Sequence, residues 1–432
     1  MFKKKITCIS LAVVACSCIY ANDSLIEALK NGKTSGHFKF VYTSGSNSDA
    51  PNQAGPANDS NTGAVALELK YLSDKFYGFS FGAGFQAGHD LEFHDYDGSS
   101  DDDARNTVST TLLSELYIQY SFLNSDIKVG RQKIKLPLIM TDTAFALEDS
   151  FDAASLTINE IPDTSINLLY VKEWKMLYGN DALSTDPTQQ DMHYKDGLYS
   201  FYIKNKSVKN LTLDGQFITT NEDKRTWDPP AIIDTKGYSE YFVQANYKLP
   251  IDIPLSVSVL YAGASYDNKT LKDASMYGIK VDTSISDVKL GVAFTKVDDD
   301  ANFPGTLGHV PDTIAYTDML NNMAIFAGVT AYSVEARYRF SFGLDAALKY
   351  GYFEQSEKGY INSGTTGIKA TSGTIGNRIN LDKSHELNLD LDYAFSGALK
   401  GLSTKLRTGY NKYDVSGEDD FLYARLHIIY SF

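Results

Sequence analysis

Apolar and polar residues alternate with a period of two through most of the chain, in segments of about ten residues. In the last segment Leu422, Leu426 and Ile428 share one face, whereas Arg425 and His427 lie on the other. Successive side chains of a β-strand point to opposite sides, so this period predicts strands with one apolar and one polar face. About eighteen such segments follow one another, centred near residues 40, 68, 82, 115, 130, 155, 169, 201, 214, 243, 260, 278, 291, 335, 349, 390, 406 and 427.

The connections between these segments are alternately long and short. Long connections span residues 44–62, 89–107, 175–195, 221–236, 298–328 and 355–383, and short ones fall at 73–75, 124–125, 162–163, 250–252 and 341–343. A soluble β-sandwich alternates too, but only a transmembrane barrel has tight periplasmic turns opposite freely growing outer loops. Strands in hydrocarbon must also pair all their backbone groups. We therefore predict an all-β fold, a closed antiparallel transmembrane β-barrel of about 18 strands with a water-filled lumen.

The first residues have the features of an export signal. Lys3, Lys4 and Lys5 precede an apolar stretch over residues 6–19, and Ala21 is a suitable cleavage site. We predict a signal peptide over residues 1–21, a short periplasmic segment over 22–35 and the barrel over 36–432. The alternative is a lipoprotein signal that ends at residue 16 and anchors a soluble β protein.

Composition agrees with a barrel and excludes other classes. The 432 residues carry a net charge of −14, and the mean hydropathy of −0.25 is what alternating lipid-facing and water-facing residues produce. Clustered positive charge, which nucleic-acid binding requires, is missing. The sequence contains no hydrolase elbow, no zinc-protease motif and no phosphate loop, and its histidines are scattered. We therefore predict no enzymatic activity, no metal site and no cofactor.

The chain ends on alternate apolar or aromatic residues, Leu426, Ile428, Tyr430 and Phe432. This ending resembles the signal by which outer-membrane barrels of Gram-negative bacteria engage their assembly machinery. The prediction of an export signal at the other end of the chain is consistent with that reading.

Several internal stretches resemble one porin family. Residues 23–33, followed by Gly36 and Phe38, resemble the mature N-terminus of the OprD-type porins of epsilonproteobacteria. Residues 129–137 are similar to the first part of that family's strand–loop–strand core, and the segments that follow continue the similarity. Those later segments span residues 151–157 and 168–171, with Ala153 in place of the family's usual glycine.

The resemblance implies an eighteen-stranded porin in the outer membrane of a Gram-negative bacterium. Such a channel passes ions and small hydrophilic solutes by passive diffusion, and basic residues along its lumen favour carboxylate-bearing or amino-acid-like solutes. The implied partners are outer-membrane lipid and lipopolysaccharide, the barrel-assembly machinery and the solutes, but not nucleic acid. A monomer and a homotrimer both remain open. The alternative function is a surface barrel that binds ligands as an adhesin, through long acidic loops such as residues 89–107.

Charged residues opposite the apolar stripe are the candidates for the pore lining. The basic candidates are Arg131, Lys133, Lys135, Arg337, Arg339, Lys349, Lys405, Arg407 and Arg425. The acidic candidates are Asp142, Glu148, Asp149, Glu335, Asp345, Glu386 and Asp390. Opposed basic and acidic rows would set up a transverse field that orders dipolar solutes. The plainer interpretation is that these charges are only the hydrated wall of a wide lumen.

The segment after Pro137 is the candidate constriction. Residues 138–149 are unusually apolar for a solvated loop and follow the fifth strand. We predict that they fold into the barrel and place acidic groups opposite the basic row that begins at Arg131. That row shares the parity of the lipid-facing Val129, so a bulge at Gly130 is needed to turn it inward.

Overall fold

The protein is described by a computed structural model over residues 24–46, 61–91, 93, 109–176, 191–221, 224–225, 233–234, 236–308, 314–320, 324–356, 360–363, 366–369, 383–413 and 420–432. Eighteen strands form one antiparallel sheet. They are β1 (Lys33–Ser46), β2 (Asn61–Leu72), β3 (Phe79–Asp90), β4 (Thr111–Phe122), β5 (Ser125–Gln132), β6 (Ser150–Ile158), β7 (Thr164–Lys175), β8 (Met192–Asn205), β9 (Leu211–Thr220), β10 (Tyr238–Lys248), β11 (Leu255–Tyr266), β12 (Ala274–Ile285), β13 (Val288–Val297), β14 (Val329–Arg339), β15 (Leu344–Gln355), β16 (Lys383–Ala394), β17 (Leu402–Tyr413) and β18 (Phe421–Ser431).

The sheet closes on itself. Strand β1 pairs with β2 on one side and with β18 on the other, so that His37 lies opposite Ser431. Beyond β18 the backbone of Phe432 exchanges two hydrogen bonds with Gly36, both 3.0 Å long. Closure removes the free edges that an open sheet would present, and it confirms the predicted eighteen-stranded barrel.

A short helix, α1 (Leu25–Lys30), precedes the barrel. Ser24 caps it by accepting a hydrogen bond from the Glu27 amide at 3.1 Å. The helix packs at the turn after β2, where the Asp74 amide donates to the Ala28 carbonyl at 3.0 Å. Strand β1 begins at Lys33, within the segment predicted to be periplasmic, and the predicted signal peptide lies outside the described residues.

The two ends of the barrel differ in the connections that they carry. At the end that holds α1 the turns are tight, and the shortest follow β4 at residues 123–124 and β12 at residues 286–287. Ser286 takes a φ of +54° there. The connections at the other end are longer, as predicted. Shorter elements in the connections are the strands Lys135–Leu136, Ile139–Met140, Lys224–Arg225, Ile233–Asp234, Tyr360–Ser363 and Thr366–Lys369, and the 3-10 helix Gly397–Leu399.

The two faces of each strand differ in polarity as the sequence predicted. On β16 the side chains of Leu387 and Leu389 are 43% and 38% exposed, whereas Glu386 and Asn388 are buried. Apolar side chains therefore cover the outside of the barrel and polar ones line its lumen, the reverse of a soluble protein. No helix in the described part of the chain has the length and apolar character needed to cross a membrane.

Aromatic rings form a belt near each end of the outer surface. Towards the long connections, adjacent strands bring together the tilted rings of Tyr277, Phe294 and Tyr332, with ring centroids 6.0 and 5.3 Å apart. Towards the short turns, Phe38 lies 5.8 Å from Phe432. Tyrosine and phenylalanine prefer the boundary between hydrocarbon and water, so the two belts mark the interfaces of a bilayer.

Candidate functional site: a constriction inside the barrel

The connection between β5 and β6, residues 133–149, folds into the lumen and is called the constriction loop here. It begins with the hairpin of Lys135–Leu136 and Ile139–Met140. Leu138, Phe145 and Leu147 in this loop are at most 1% exposed. These apolar side chains would be costly in an exposed loop, and packing them against the inner wall removes them from water. The predicted inward fold of this segment is thus what the structure contains.

Gly130 has an unusual backbone conformation, but β5 keeps its register with β4 and β6 through this residue, so the expected bulge at Gly130 is absent. Its φ is +127°, and a Cβ at this position would lie only 2.2 Å from the Leu116 carbonyl oxygen. Only glycine fits such a backbone without strain. Strand β5 ends soon afterwards at Gln132, which brings Lys133 into the lumen.

A network of alternating charges holds the constriction loop to the wall. The Lys39 ammonium group on β1 donates to Glu148 Oε1 at 2.8 Å and to the Phe145 carbonyl at 3.1 Å. Lys133 donates to Glu148 Oε2 at 2.6 Å and also to Glu68 on β2. Each charge has an opposite partner, which is the condition under which buried charges are tolerated. We call Lys39, Glu68, Lys133 and Glu148 the latch.

The latch fixes the charge states of its loop members. Burial alone would raise the pKa of Glu148, but Lys39 and Lys133 outweigh it and hold the pKa well below its usual range. Burial would lower the pKa of Lys133, but Glu148 and Glu68 outweigh it and raise that pKa. Both groups are therefore ionised throughout the neutral range.

Uncharged contacts fix the remainder of the loop. Gln86 on β3 exchanges two hydrogen bonds with the Glu148 backbone, at 2.9 and 3.2 Å. The Trp174 indole donates to Asp149 Oδ2 at 2.7 Å, and Asp149 Oδ1 accepts from the Asp142 amide at 2.7 Å. His427 Nε2 donates to the Ala144 carbonyl at 2.8 Å. The Asp142 carboxylate accepts from the Ala144 amide at 2.7 Å within the loop, and the Asp149 carboxylate joins the loop to Trp174 on β7. Neither therefore belongs to an acidic row facing the pore.

The described parts of a second connection, residues 298–308, 314–320 and 324–328, also enter the lumen, and the first of them meets the constriction loop. The Leu307 amide donates to the Leu138 carbonyl and the Met140 amide donates to the Leu307 carbonyl, both at 2.9 Å. Thr306 Oγ1 donates to the Pro137 carbonyl at 2.7 Å. The sequence pattern predicts only a long connection at this segment. Its apolar run at residues 324–327, which is fully buried, was the available signal.

The basic residues that follow Val129 do not form a row. Arg131 pairs with Asp152 on β6 at 2.8 Å, and Lys135 is exposed in the hairpin of the constriction loop. Of the three predicted residues, only Lys133 joins the latch. The expected row is wrong because the strand ends at Gln132, so Lys133 and Lys135 no longer follow the strand alternation.

Charges on the remaining lumen wall form local pairs across adjacent strands. Arg407 on β17 lies opposite Asp390 on β16, at 3.3 Å, and Lys405 lies opposite Asp392, at 3.9 Å. The same holds between β14 and β15, where Arg337 lies 3.0 Å from Asp345 and 3.4 Å from Glu335. Acidic and basic groups therefore share one wall, where the expectation was rows on opposite walls.

The other predicted lumen residues have separate environments. Arg425 is 3% exposed, and its guanidinium lies 5.5 Å from the Phe145 ring at the tip of the constriction loop. Lys349 donates to the backbone carbonyl of Asp318 in the second inward loop. Glu386 is fully buried, and Arg339 is exposed at the short-turn end of β14. Within the described residues, neither Arg425 nor Lys349 has a carboxylate partner.

Comparisons with known proteins agree with this architecture. The sequence matches the family model of the outer membrane porins of the OprD family over residues 99–432. The fold is similar to that of OccK5 (OpdH) from Pseudomonas aeruginosa, with a TM-score of 0.69 and 18% identity over 94% of this chain and 99% of that chain. OpdO from the same organism gives a TM-score of 0.68 and 17% identity over 94% of this chain and 98% of that chain. OpdK with vanillate, also from that organism, gives a TM-score of 0.67 and 15% identity over 94% of this chain and 99% of that chain. No curated protein sequence matches this one.

Proposed function

The chain belongs to the OprD family of outer membrane porins, and we propose that its channel favours small solutes bearing a carboxylate, amino-acid-like solutes among them. Membership makes it a channel for small solutes in the outer membrane of a Gram-negative bacterium, in contact with lipid and lipopolysaccharide, and not an enzyme. The preference for carboxylates is our inference from the charges of the lumen.

The position of Arg425 carries this proposal. It sits on the wall beside Phe145, at the level where the constriction loop narrows the lumen. Most other charges at this level belong to the latch and neutralise one another, whereas Arg425 has no carboxylate partner among the described residues. The Arg425 side chain is covered, so it acts on solutes through its field: an unneutralised cation beside a narrow, weakly screened passage makes the potential there positive and attracts anions.

A second line of support comes from Lys349. Its ammonium group interacts with a backbone carbonyl, so its full charge remains in the lumen wall. OpdK, which shares the fold, has been solved with vanillate, and vanillate is an aromatic carboxylate. We infer the same class of solute for this chain.

Reversal potentials test the preference directly. The purified channel is placed in a planar bilayer across a concentration gradient of potassium acetate. We expect the current to reverse at a potential whose sign indicates a preference for anions. Replacing Arg425 with Gln should move the reversal potential towards zero. Lys400→Gln, in the exposed turn after β16, removes the same charge outside the lumen and should leave the potential unchanged. Cation preference in the wild type would contradict the proposal.

We also propose that Leu426, Ile428, Tyr430 and Phe432 form the barrel-assembly signal. Ile428, Tyr430 and Phe432 project from the outer face of β18 with 37%, 45% and 51% of their surface exposed. An assembly factor would therefore find them accessible on the last strand before closure. Whether the barrel functions as a monomer or a homotrimer is tested by cross-linking in membranes.

A further inference from the structure

A second feature of the lumen lies in the wall near the short turns, apart from the constriction loop. A cavity of about 600 Å³ spans strands β10 to β14. Gly291 on β13 lines the cavity, and a Cβ there would lie 3.0 Å from Asp282 Oδ1 and 3.6 Å from Lys280 Cε. Gly291 adds no side chain to this hollow, and charged residues on β12 and β14 flank it. We call this hollow the Gly291 subsite.

The flanks of the Gly291 subsite carry more positive than negative charge. Lys280 pairs with Asp282 at 3.0 Å on β12, and Arg337 lies 3.4 Å from Glu335 on β14 and 3.0 Å from Asp345 on β15. Two further lining residues, Lys248 and Lys289, have no carboxylate partner in the described part of the chain. The hollow is therefore cationic, and its two unpaired lysines come from different strands.

The strand register places one of these lysines against another cation. Lys289 on β13 lies directly opposite Arg337 on β14. Like charges directly opposite each other in a sheet are destabilising. Glu335 and Asp345 neutralise Arg337, so Lys289 is the cation left for an incoming anion. Lys248 on β10 borders the hollow from the other side. The register places it opposite Ser256 on β11, and Ser256 lies opposite Asp282 on β12. Cations thus bound the hollow at both edges.

We propose that the Gly291 subsite binds solutes carrying two carboxylates. One carboxylate pairs with Lys289 beside Arg337, and the other faces Lys248 across the space to which Gly291 adds no side chain. The short turns mark the periplasmic end of a porin barrel, so the subsite holds its solute after the constriction and before release. This inference rests on the proposed carboxylate preference and adds the selection of dicarboxylates over monocarboxylates.

Single-channel recording tests the subsite with succinate and acetate as probes, at equal charge concentration. Succinate is expected to interrupt the wild-type current with dwell times about threefold to fivefold longer than those of acetate, as expected for one additional exposed ion pair. Lys289→Gln should remove most of that difference. Gly291→Val should abolish it by filling part of the hollow and displacing the Asp282 carboxylate, which would lie 3.0 Å from the added Cβ. Lys400→Gln is the matched control and should behave as the wild type.

The outcomes separate this inference from the proposed function. Heat-modifiable gel migration first establishes that the Gly291→Val barrel is folded. If the wild type prefers anions but holds succinate and acetate equally long, the subsite is wrong and the carboxylate preference stands. The subsite is also wrong if the Gly291→Val and Lys289→Gln channels keep the wild-type succinate dwell time. If the wild type shows no anion preference, the proposed function fails first.

Discussion

Lys39 is a buried cation whose charge holds the constriction loop against the wall of the channel. Its ammonium group lies among the Glu148 carboxylate and two carbonyls of the constriction loop and is 3% exposed. A lysine that contacted solutes would need to be accessible from the lumen. The alternation of β1 showed that Lys39 faces inward, but only the folded loop determines that it is covered.

Replacing Lys39 with Met is expected to loosen the constriction loop. Removing one partner of a buried ion pair costs about 3–5 kcal/mol, and the lower value applies here because Lys133 still contacts Glu148. Single-channel recordings should show a larger, noisier current. Lys405→Gln breaks an exposed pair with Asp392 and should cost about 0–1 kcal/mol. An unchanged current in Lys39→Met would show that the latch does not hold the loop.

The latch also predicts how conductance depends on pH. The pKa of Glu148 lies below its ordinary value of 4.5, so its contribution to stability is present above pH 4.5 and is lost as the pH falls through the lowered pKa. The pKa of Lys133 lies above its ordinary value of 10.5, so its contribution is present below pH 10.5 and is lost as the pH rises through the raised pKa. Conductance at constant salt should therefore be flat between these limits.

Glu148→Gln tests this expectation. The variant removes the charge that both lysines share, so its current should already resemble the loosened state at neutral pH. It should also lose the change that the wild type shows at acidic pH. A wild-type conductance that changes steeply between pH 5 and 8 would contradict the charge states assigned to the latch.

At the scale of elements, the two inward loops support each other. The hairpin of the constriction loop pairs with residue 307 of the second loop through two backbone hydrogen bonds. Backbone bonds of this kind need close approach of both segments, so the displacement of one loop exposes polar groups of the other. Periodicity predicts strands because it is local, whereas this contact joins residues far apart in sequence.

Deleting residues 141–147 should widen the channel. The deletion removes the Phe145 and Leu147 side chains that fill the lumen and the carbonyls to which Lys39 and His427 donate. Single-channel conductance is expected to rise about twofold or more, because the narrowest part of a water-filled pore limits its current. Deleting residues in the turn 206–210, which lies outside the lumen, is the control. An unchanged current would mean that the passage is limited elsewhere.

At the scale of the whole molecule, Phe432 contributes to the closure of the barrel as well as to the proposed C-terminal assembly signal. Its backbone completes the seam with Gly36, and its ring packs against Phe38 and Tyr430 at 5.8 and 6.3 Å. The proposed assembly signal and the stability of the seam thus involve the same residue. Separating the two roles requires assembly in cells and refolding in lipid to be measured on one variant.

Phe432→Ala keeps both backbone hydrogen bonds and removes only the ring. In cells we expect several-fold less folded barrel, measured as the heat-modifiable band on a gel. Refolding of the purified chain into lipid vesicles should be nearly normal, since an interfacial ring contact contributes about 0.5–1.5 kcal/mol. Equal losses in both assays would show that the ring acts only through the seam, and Phe342→Ala, in the turn after β14, is the control.

The sequence by itself determined the wall of this protein. Strand number, closure and the polarity of each face follow from a period-two pattern and from loop lengths, which are local properties that a barrel repeats on every strand. Residues such as Leu387 and Glu386 could be assigned to outside and inside on that basis. The apolar character of residues 138–149 also indicated that this loop folds inward.

Only the tertiary structure decided how the inward loops fill the lumen and which of its charges pair with one another. The partners of Lys39, Lys133 and Glu148 come from strands and loops distant in sequence, and the end of β5 at Gln132 removed the expected basic row. Register brought Arg407 beside Asp390 and Lys289 against Arg337. Charges interact over a few ångströms in space, which strand alternation alone does not fix, so the pairing of the lumen charges required the closed barrel.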